Sequence, residues 1–337
     1  MLVDSDTQKK DRKFSVAPML GVTDRHCLFF YSLLSPNVNL YSEMIVTSAL
    51  VNNVENLHKY LYFNHIKNHV VLQLGGNNPL DLARSASFGE FFGYKEININ
   101  CGCPSDRVLK GSFGASLMNN PLLVADCFKA IQDAVSIPVS VKHRLGLNYN
   151  FSYGFLRDFV GIIYDVGCRI FVVHARNAVL GKLNPRDNRN IPALNYDYVY
   201  QLKQDFPDAV IILNGGILNL EVINSILKKV DGVMIGRAVM NNPLIISSIS
   251  SILWPDYVPY KLERVIHIMT EYAEREVSNG VPLWSIVRPM LNMFKGFKGA
   301  KMWRNMLSDQ SKLKENNPEM IMLAWKNLSA FLNDNII

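Results

Sequence analysis

Short apolar runs recur along most of the chain, each closing on polar or glycine residues, at residues 14–19, 40–44, 70–74, 96–100, 138–142, 170–174, 210–213 and 232–235. Their length and closing residues are those of buried strands. Between most of them lie segments long enough for a helix, at 24–34, 79–92, 121–135, 153–166, 196–205 and 220–228. Eight strands alternating with helices over about 240 residues predict a (β/α)8 barrel, the TIM barrel of the α/β class. An open doubly wound sheet is the competitor, but no glycine-rich dinucleotide fingerprint follows an early strand.

A barrel collects its functional groups at the C-terminal ends of its strands. The expected ends here are Ala17-Pro18-Met19-Leu20, Ser42-Glu43-Met44, Gln73-Leu74-Gly75-Gly76, Asn100-Cys101-Gly102-Cys103, Lys142-His143-Arg144, His174-Ala175-Arg176, Asn214-Gly215-Gly216 and Gly236-Arg237. Polar residues at one end would be ordinary loop composition, whereas polar residues at nearly all eight point to one shared pocket. The last two ends carry glycines where such barrels bind phosphate through backbone N–H groups. Gly215, Gly216 and Gly236 would admit an anion close to the backbone, with Arg237 adding a charge-assisted bond.

After Trp254-Pro255 the alternation stops. Residues 262–279 have the spacing of an amphipathic helix, and 284–294, 302–307 and 318–332 are expected to be further helices. The expected organisation is a polar tail at 1–13, a barrel at 14–254 and a small all-helical domain at 255–337. Lys295, Lys298, Lys301, Arg304, Lys312 and Lys314 lie in that last part, interleaved with Phe294, Phe297 and Trp303. A solvated helix face beside a small core is one reading of that pattern, and a polyanion-binding face is the other.

Composition narrows the class. Of the 337 residues 49% are hydrophobic, enough for a large core. No apolar run is long enough to cross a bilayer, and the charged N-terminus lacks the apolar region of a secretion signal. The five irregularly spaced cysteines form no disulfide framework, which predicts a reducing, cytoplasmic setting. Thirty-five Lys and Arg against 29 Asp and Glu leave a net charge of +6, a mild excess that permits a polyanionic partner.

The candidate chemistry centres on 96–105, where apolar residues alternate with asparagine until Gly102 and Pro104 break the strand. Cys103 then stands just beyond a strand end, with Asn98 and Asn100 upstream. A thiol there is a candidate acid or nucleophile. Two small residues in a tight bend are the plainer reading. Metal ligation is disfavoured, because no second Cys or His pair lies close enough to complete four ligands.

Read together, these strand ends, with Thr23-Asp24-Arg25-His26-Cys27, Pro104-Ser105-Asp106-Arg107-Val108 and Asn188-Arg189-Asn190-Ile191-Pro192, resemble the tRNA-dihydrouridine synthases over about 14–304. The likeness is greatest to their bacterial DusA subfamily. It implies an FMN-dependent barrel with a helical RNA-binding domain, which uses NADPH to reduce D-loop uridines (U20/U20a) of tRNA. By that resemblance Pro18, Met19, Leu20, Gln73, Lys142 and His174 would contact the flavin. Asn214, Gly215, Gly216, Gly236 and Arg237 would hold its phosphate, and Cys103 would be the catalytic proton donor. Asn100 would meet the target base, and Arg186, Arg189, Lys301 and Arg304 would contact tRNA. A monomer without membrane attachment is expected. Gly21-Val22, Asn177, Val179, Cys101 and Lys301 depart from the usual subfamily residues (Asp-Trp, Lys, Trp, Val and Arg). Two rivals stay open: an FMN barrel acting on a small enone or pyrimidine, and a non-catalytic tRNA-binding protein on the same scaffold.

Overall fold

The computed structural model describes residues 12–332, apart from 65, 106, 107, 109, 110, 149, 151 and 219. Nine parallel strands form its sheet: β1 (Phe14–Val16), β2 (Asn39–Tyr41), β3 (Ile45–Val46), β4 (Val70–Gly75), β5 (Glu96–Cys101), β6 (Val139–Arg144), β7 (Ile170–His174), β8 (Val210–Asn214) and β9 (Gly232–Ile235). Each of β4 to β8 pairs with the next, β9 pairs with β1, β1 with β2, and β2 with β4, so the sheet closes on itself. The expected barrel is present. Its second position is shared by β2 and β3, which pair in turn along β4 (Leu40↔Val70, then Ile45↔Leu74). Between them Ser42 still donates its N–H to the Val71 carbonyl at 2.9 Å. Its hydroxyl accepts the next N–H of β4, that of Gln73, at 3.1 Å while donating to the Glu43 carbonyl at 2.9 Å.

Strand side chains alternate between faces. Ala17, Tyr41, Val71, Ile170, Val172, Val210, Ile212 and Met234 make one buried cluster, which identifies the inward parity of β1, β2, β4, β7, β8 and β9. Register (Val71↔Glu96, Lys142↔Val172) extends it to β5 and β6. Near the strand starts the barrel is closed by charge. Arg12 donates to the Glu96 carboxylate, whose Oε2 also lies 3.1 Å from His69 Nε2. Burial alone would raise the Glu96 pKa; Arg12, with help from His69 and Ser140, overrides it and holds the carboxyl down to about 2. Gly232 is required beside this pair, since a Cβ there would come within 2.1 Å of the Arg12 carbonyl oxygen.

The helices between strands begin where the sequence supplies caps. Asn78 accepts from the N–H groups of Leu80 and Asp81, with Pro79 opening the helix Pro79–Phe91. Asn120 and Pro121 repeat the device for Pro121–Ala134.

By packing, the described residues divide into two compact units: residues 12–20 with 39–236, and residues 21–38 with 237–332. This division differs from the expected boundary at 254/255. The helix Arg25–Leu34, which follows β1 and would ordinarily be the first barrel helix, is part of the helical unit. There Arg25 pairs with Glu276 (2.7 Å), Asp24 with Arg288 (2.7 Å), and His26 Nδ1 with the Tyr272 hydroxyl (2.6 Å). Within that unit Trp303 is fully buried, meets Phe294 edge-on at 4.9 Å and donates to the Met290 carbonyl. Of the aromatics among the C-terminal lysines, Phe294 and Trp303 are thus core and Phe297 is half-buried, whereas all six cations are exposed. The expected helix 284–294 is broken: Leu283–Val287 gives way to a 3-10 turn, Arg288–Met290, because Pro289 cannot continue the ladder.

Candidate active site

Inward parity carries upward from the core to a set of polar residues at the strand ends. Register places Asn100 beside Lys142, Gln73 beside Asn98, and His174 beside Asn214. All six therefore point to the barrel axis side of their strands, above Val71, Val172 and Ile212. Cys101, on the opposite parity to Asn100, is fully buried outside the barrel, where burial and the neighbouring Cys127 and Cys168 push its thiol well up.

Asn100 is used as a loop anchor. Its Oδ1 accepts from the backbone N–H of Gly102 at 3.1 Å and of Cys103 at 3.0 Å, turning the chain so that the half-buried Cys103 follows the strand end. The Cys103 thiol lies 3.5 Å from Ser105 Oγ. Because the oxygen of Asn100 faces two backbone donors, its amino group must face the other way, and it donates to Gln73 Oε1 at 2.8 Å. Gln73 then donates to Asn98 Oδ1 (2.8 Å), and Asn98 to Ser140 Oγ (2.8 Å). One end of the chain of amides orients all the rest. Asn98 was not among the residues expected at the site; its inward parity between Glu96 and Asn100 was the available signal.

Lys142 is half-buried and donates to Asn214 Oδ1 at 3.1 Å, and Asn214 in turn donates to the Met234 carbonyl at 2.8 Å. Burial, and next the Arg144 guanidinium, push the Lys142 ammonium down to about 7, with the nearby Cys103 opposing. A cation poised there can stabilise negative charge or exchange a proton close to neutrality.

Gly215 and Gly216 follow Asn214 with φ of +112° and +69°, a region side chains rarely enter. A Cβ on Gly215 would also come within 2.6 Å of the His174 ring. Gly236 closes β9 beside Ala17 and Met19, and Arg237 is the next residue, exposed at the start of helix Arg237–Asn241 of the helical unit. Pro18 and Met19 are half-buried and Leu20 is exposed. The barrel unit thus brings Met19, Gln73, Asn100, Cys103, Lys142, His174, Asn214, Gly215 and Gly236 to one end. Arg186 and Arg189 are exposed on the segment after β7, around the turn Asp187–Arg189. Lys301 and Arg304 are exposed one turn apart on helix Ala300–Leu307 of the helical unit. A pocket of about 690 Å³ opens within the barrel unit beside Leu145, Asn177, Val179 and Tyr196, so two of the subfamily departures line it.

A closed parallel barrel with its polar groups gathered at the strand C-termini defines a TIM-barrel enzyme. The chain resembles a solved 2-naphthoyl-CoA reductase in complex with 2-naphthoyl-CoA at a TM-score of 0.50 and 10% identity, over 71% of this chain and 49% of that one, a likeness of fold alone. The sequence model of the dihydrouridine synthase (Dus) family matches residues 15–330. The tRNA-dihydrouridine(20/20a) synthase of Salmonella typhimurium (strain LT2) is 46% identical over 89% of this chain and 90% of its own. That of Escherichia coli (strain K12) is 47% identical over 89% and 86%, and that of Shewanella oneidensis 42% identical over 97% of each. The chain belongs to the dihydrouridine synthase family, enzymes that reduce uridine in tRNA.

Proposed function

We propose that this protein reduces the C5–C6 double bond of D-loop uridines 20 and 20a in tRNA, as a cytoplasmic monomer, with FMN as resident cofactor and NADPH as reductant. The observation that most supports this reading is the placement of Cys103, anchored by Asn100 at a strand end of the barrel whose other ends carry Gln73, Lys142, His174 and Asn214.

The residues present fit a flavin nucleotide. Gly215 and Gly216 offer backbone free of Cβ at the end of β8, and Gly236 does so at the end of β9, suited to a phosphate with Arg237 next in sequence. Gln73, Lys142 and His174 would contact the flavin, with Pro18, Met19 and Leu20 alongside, and Asn214 would join the glycines at its phosphate. When bound, the flavin supplies the hydride for uracil C6. Cys103 delivers the proton to C5, and the short tether to Asn100 limits where its sulfur can lie. Lys142, held by Asn214, stabilises the charge that develops on the uracil carbonyl. Asn100 retains one N–H beyond its bond to Gln73, which suits a contact to the base edge. The uridine must leave its stack to reach such a site. Arg186, Arg189, Lys301 and Arg304 would hold tRNA, chiefly at phosphates.

The test is incubation of the purified protein with unmodified tRNA and NADPH, followed by nuclease digestion and mass spectrometry. A gain of two hydrogens on a D-loop uridine is expected. A yellow protein that turns over enones but leaves tRNA unchanged would favour the small-molecule rival and defeat the proposal.

The cations of the helical unit give a separate expectation. None of Lys301, Arg304 or the neighbouring exposed lysines forms an ion pair among the described residues. Lys301→Ala with Arg304→Ala should weaken tRNA binding and lower the slope of log affinity against log salt by roughly 1–2, as phosphate contacts are lost. An unchanged slope would remove this helix from the RNA interface.

A further inference from the structure

Arg144 ends β6 two residues after Lys142 and is 3% exposed. Its Nε donates to the Gly102 carbonyl at 3.2 Å, and its Nη1 donates to the Asn188 carbonyl at 2.8 Å and the Asn177 carbonyl at 3.2 Å. No carboxylate forms an ion pair with it among the described residues. Burial pushes its pKa down to about 10 even though the nearby Cys103 opposes the shift. Taking a guanidinium out of water against carbonyls alone is a costly way to fill space, and an apolar side chain would do so better.

What the guanidinium joins is two loops of different kinds. Gly102 is the residue before Cys103. Asn177 and Asn188 both lie in the segment after β7 that presents Arg186 and Arg189. That segment is stapled internally by Asn188, fully buried, whose Nδ2 donates to the carbonyls of Val179 (2.9 Å) and Leu183 (2.7 Å) while its Oδ1 accepts from Val179 N (2.7 Å). We propose that Arg144 is a positioning residue that couples the Cys103 loop to the Arg186–Arg189 segment, so that the seating of that segment sets the place of the thiol. This rests on the uridine-reducing reading for its catalytic consequence. Lysine cannot substitute, since an ammonium on a flexible stem lacks the fork that spans both loops.

The experiment compares Arg144→Lys, Arg144→Gln and Asn188→Ala in the full, flavin-loaded protein. Two readouts are taken: single-turnover reoxidation of pre-reduced enzyme by unmodified tRNA, and the rate at which iodoacetamide alkylates Cys103 without RNA, followed by peptide mass spectrometry. Arg144→Lys keeps the charge beside the thiol, so a change there reports position and not field. Both Arg144 variants should accept electrons from NADPH normally, reoxidise roughly 10- to 100-fold more slowly, and alkylate Cys103 at an altered rate. Asn188→Ala, which loosens the segment at the far end of the coupling, should shift the Cys103 alkylation rate in the same direction as the Arg144 variants but by less, and should also weaken tRNA binding. Wild-type reoxidation and alkylation in Arg144→Lys would overturn the proposal, as would a wild-type alkylation rate of Cys103 in Asn188→Ala. If tRNA fails to reoxidise even the wild-type enzyme, the functional reading is at fault, and the alkylation rates alone then decide whether Arg144 places the thiol.

Discussion

Cys103→Ala should still bind flavin and accept electrons from NADPH, while reoxidation by tRNA slows by about 10²–10⁴-fold, the loss expected for a positioned acid. The split follows from order and geometry. The thiol is needed only when C5 takes up its proton, and its anchor, Asn100 Oδ1, holds backbone N–H groups that alanine retains. The loop should therefore keep its place, and the variant isolates chemistry from scaffold. Cys101→Val is the paired control: that side chain is buried on the outer face of β5, and valine fills similar space. Stopped-flow mixing of pre-reduced enzyme with unmodified tRNA, followed by flavin absorbance, measures both. Wild-type rates in Cys103→Ala, or a collapse in Cys101→Val alone, would assign the proton to the wrong thiol.

The largest stability effect is expected at the other end of the barrel. Arg12→Leu strands the Glu96 carboxylate in a fully buried position, a change worth about 3–5 kcal/mol. In a protein of this size that lowers the melting temperature on the order of 10 °C. The double variant Arg12→Leu with Glu96→Leu should recover much of the loss, because removing both charges also removes the desolvation cost. The pair also gives a pH signature. Glu96 is held at about 2 against an ordinary 4.5, so its contribution is fully present above 4.5 and is lost as pH falls from there towards 2. The stability difference between wild type and Glu96→Gln should shrink through that window. A melting temperature unmoved in Arg12→Leu, or a difference independent of pH, would show that the pair does not brace the barrel.

The strands and the main barrel helices were legible because the signal is local: a fully buried strand is apolar and short, and Asn78-Pro79 or Asn120-Pro121 announces a helix start. The association of the helix Arg25–Leu34 was not legible. Its amphipathic spacing would bury equally well against a barrel or against other helices, and only the distant Tyr272, Glu276 and Arg288 decide which. The split of the second barrel position into β2 and β3 was equally hidden, since it depends on a Ser42 bond to the backbone of Gln73, a residue on another strand. At the site, strand-end position singled out Gln73, Lys142, His174 and Asn214. Asn98 and Arg144 were named at these ends but given no role, because their roles lie in what they hold in place. An arginine satisfied by carbonyls of two remote loops leaves no spacing pattern.

The helical unit draws on two distant stretches of the sequence, with residues 21–38 packing among 237–332. During synthesis the helix Arg25–Leu34 leaves the ribosome some two hundred residues before Tyr272, Glu276 and Arg288 exist to receive it. At the 5–20 residues per second typical of translation, its apolar face, with Phe29, Phe30 and Leu34, waits on the order of ten seconds or more for native partners. Domains usually fold from the N-terminus forward; here an early segment must be kept from premature burial until the last third of the chain is made. The same arrangement means that a fragment beginning at residue 237 would carry the Arg275–Glu276 turn of its longest helix but lack the helix that covers it.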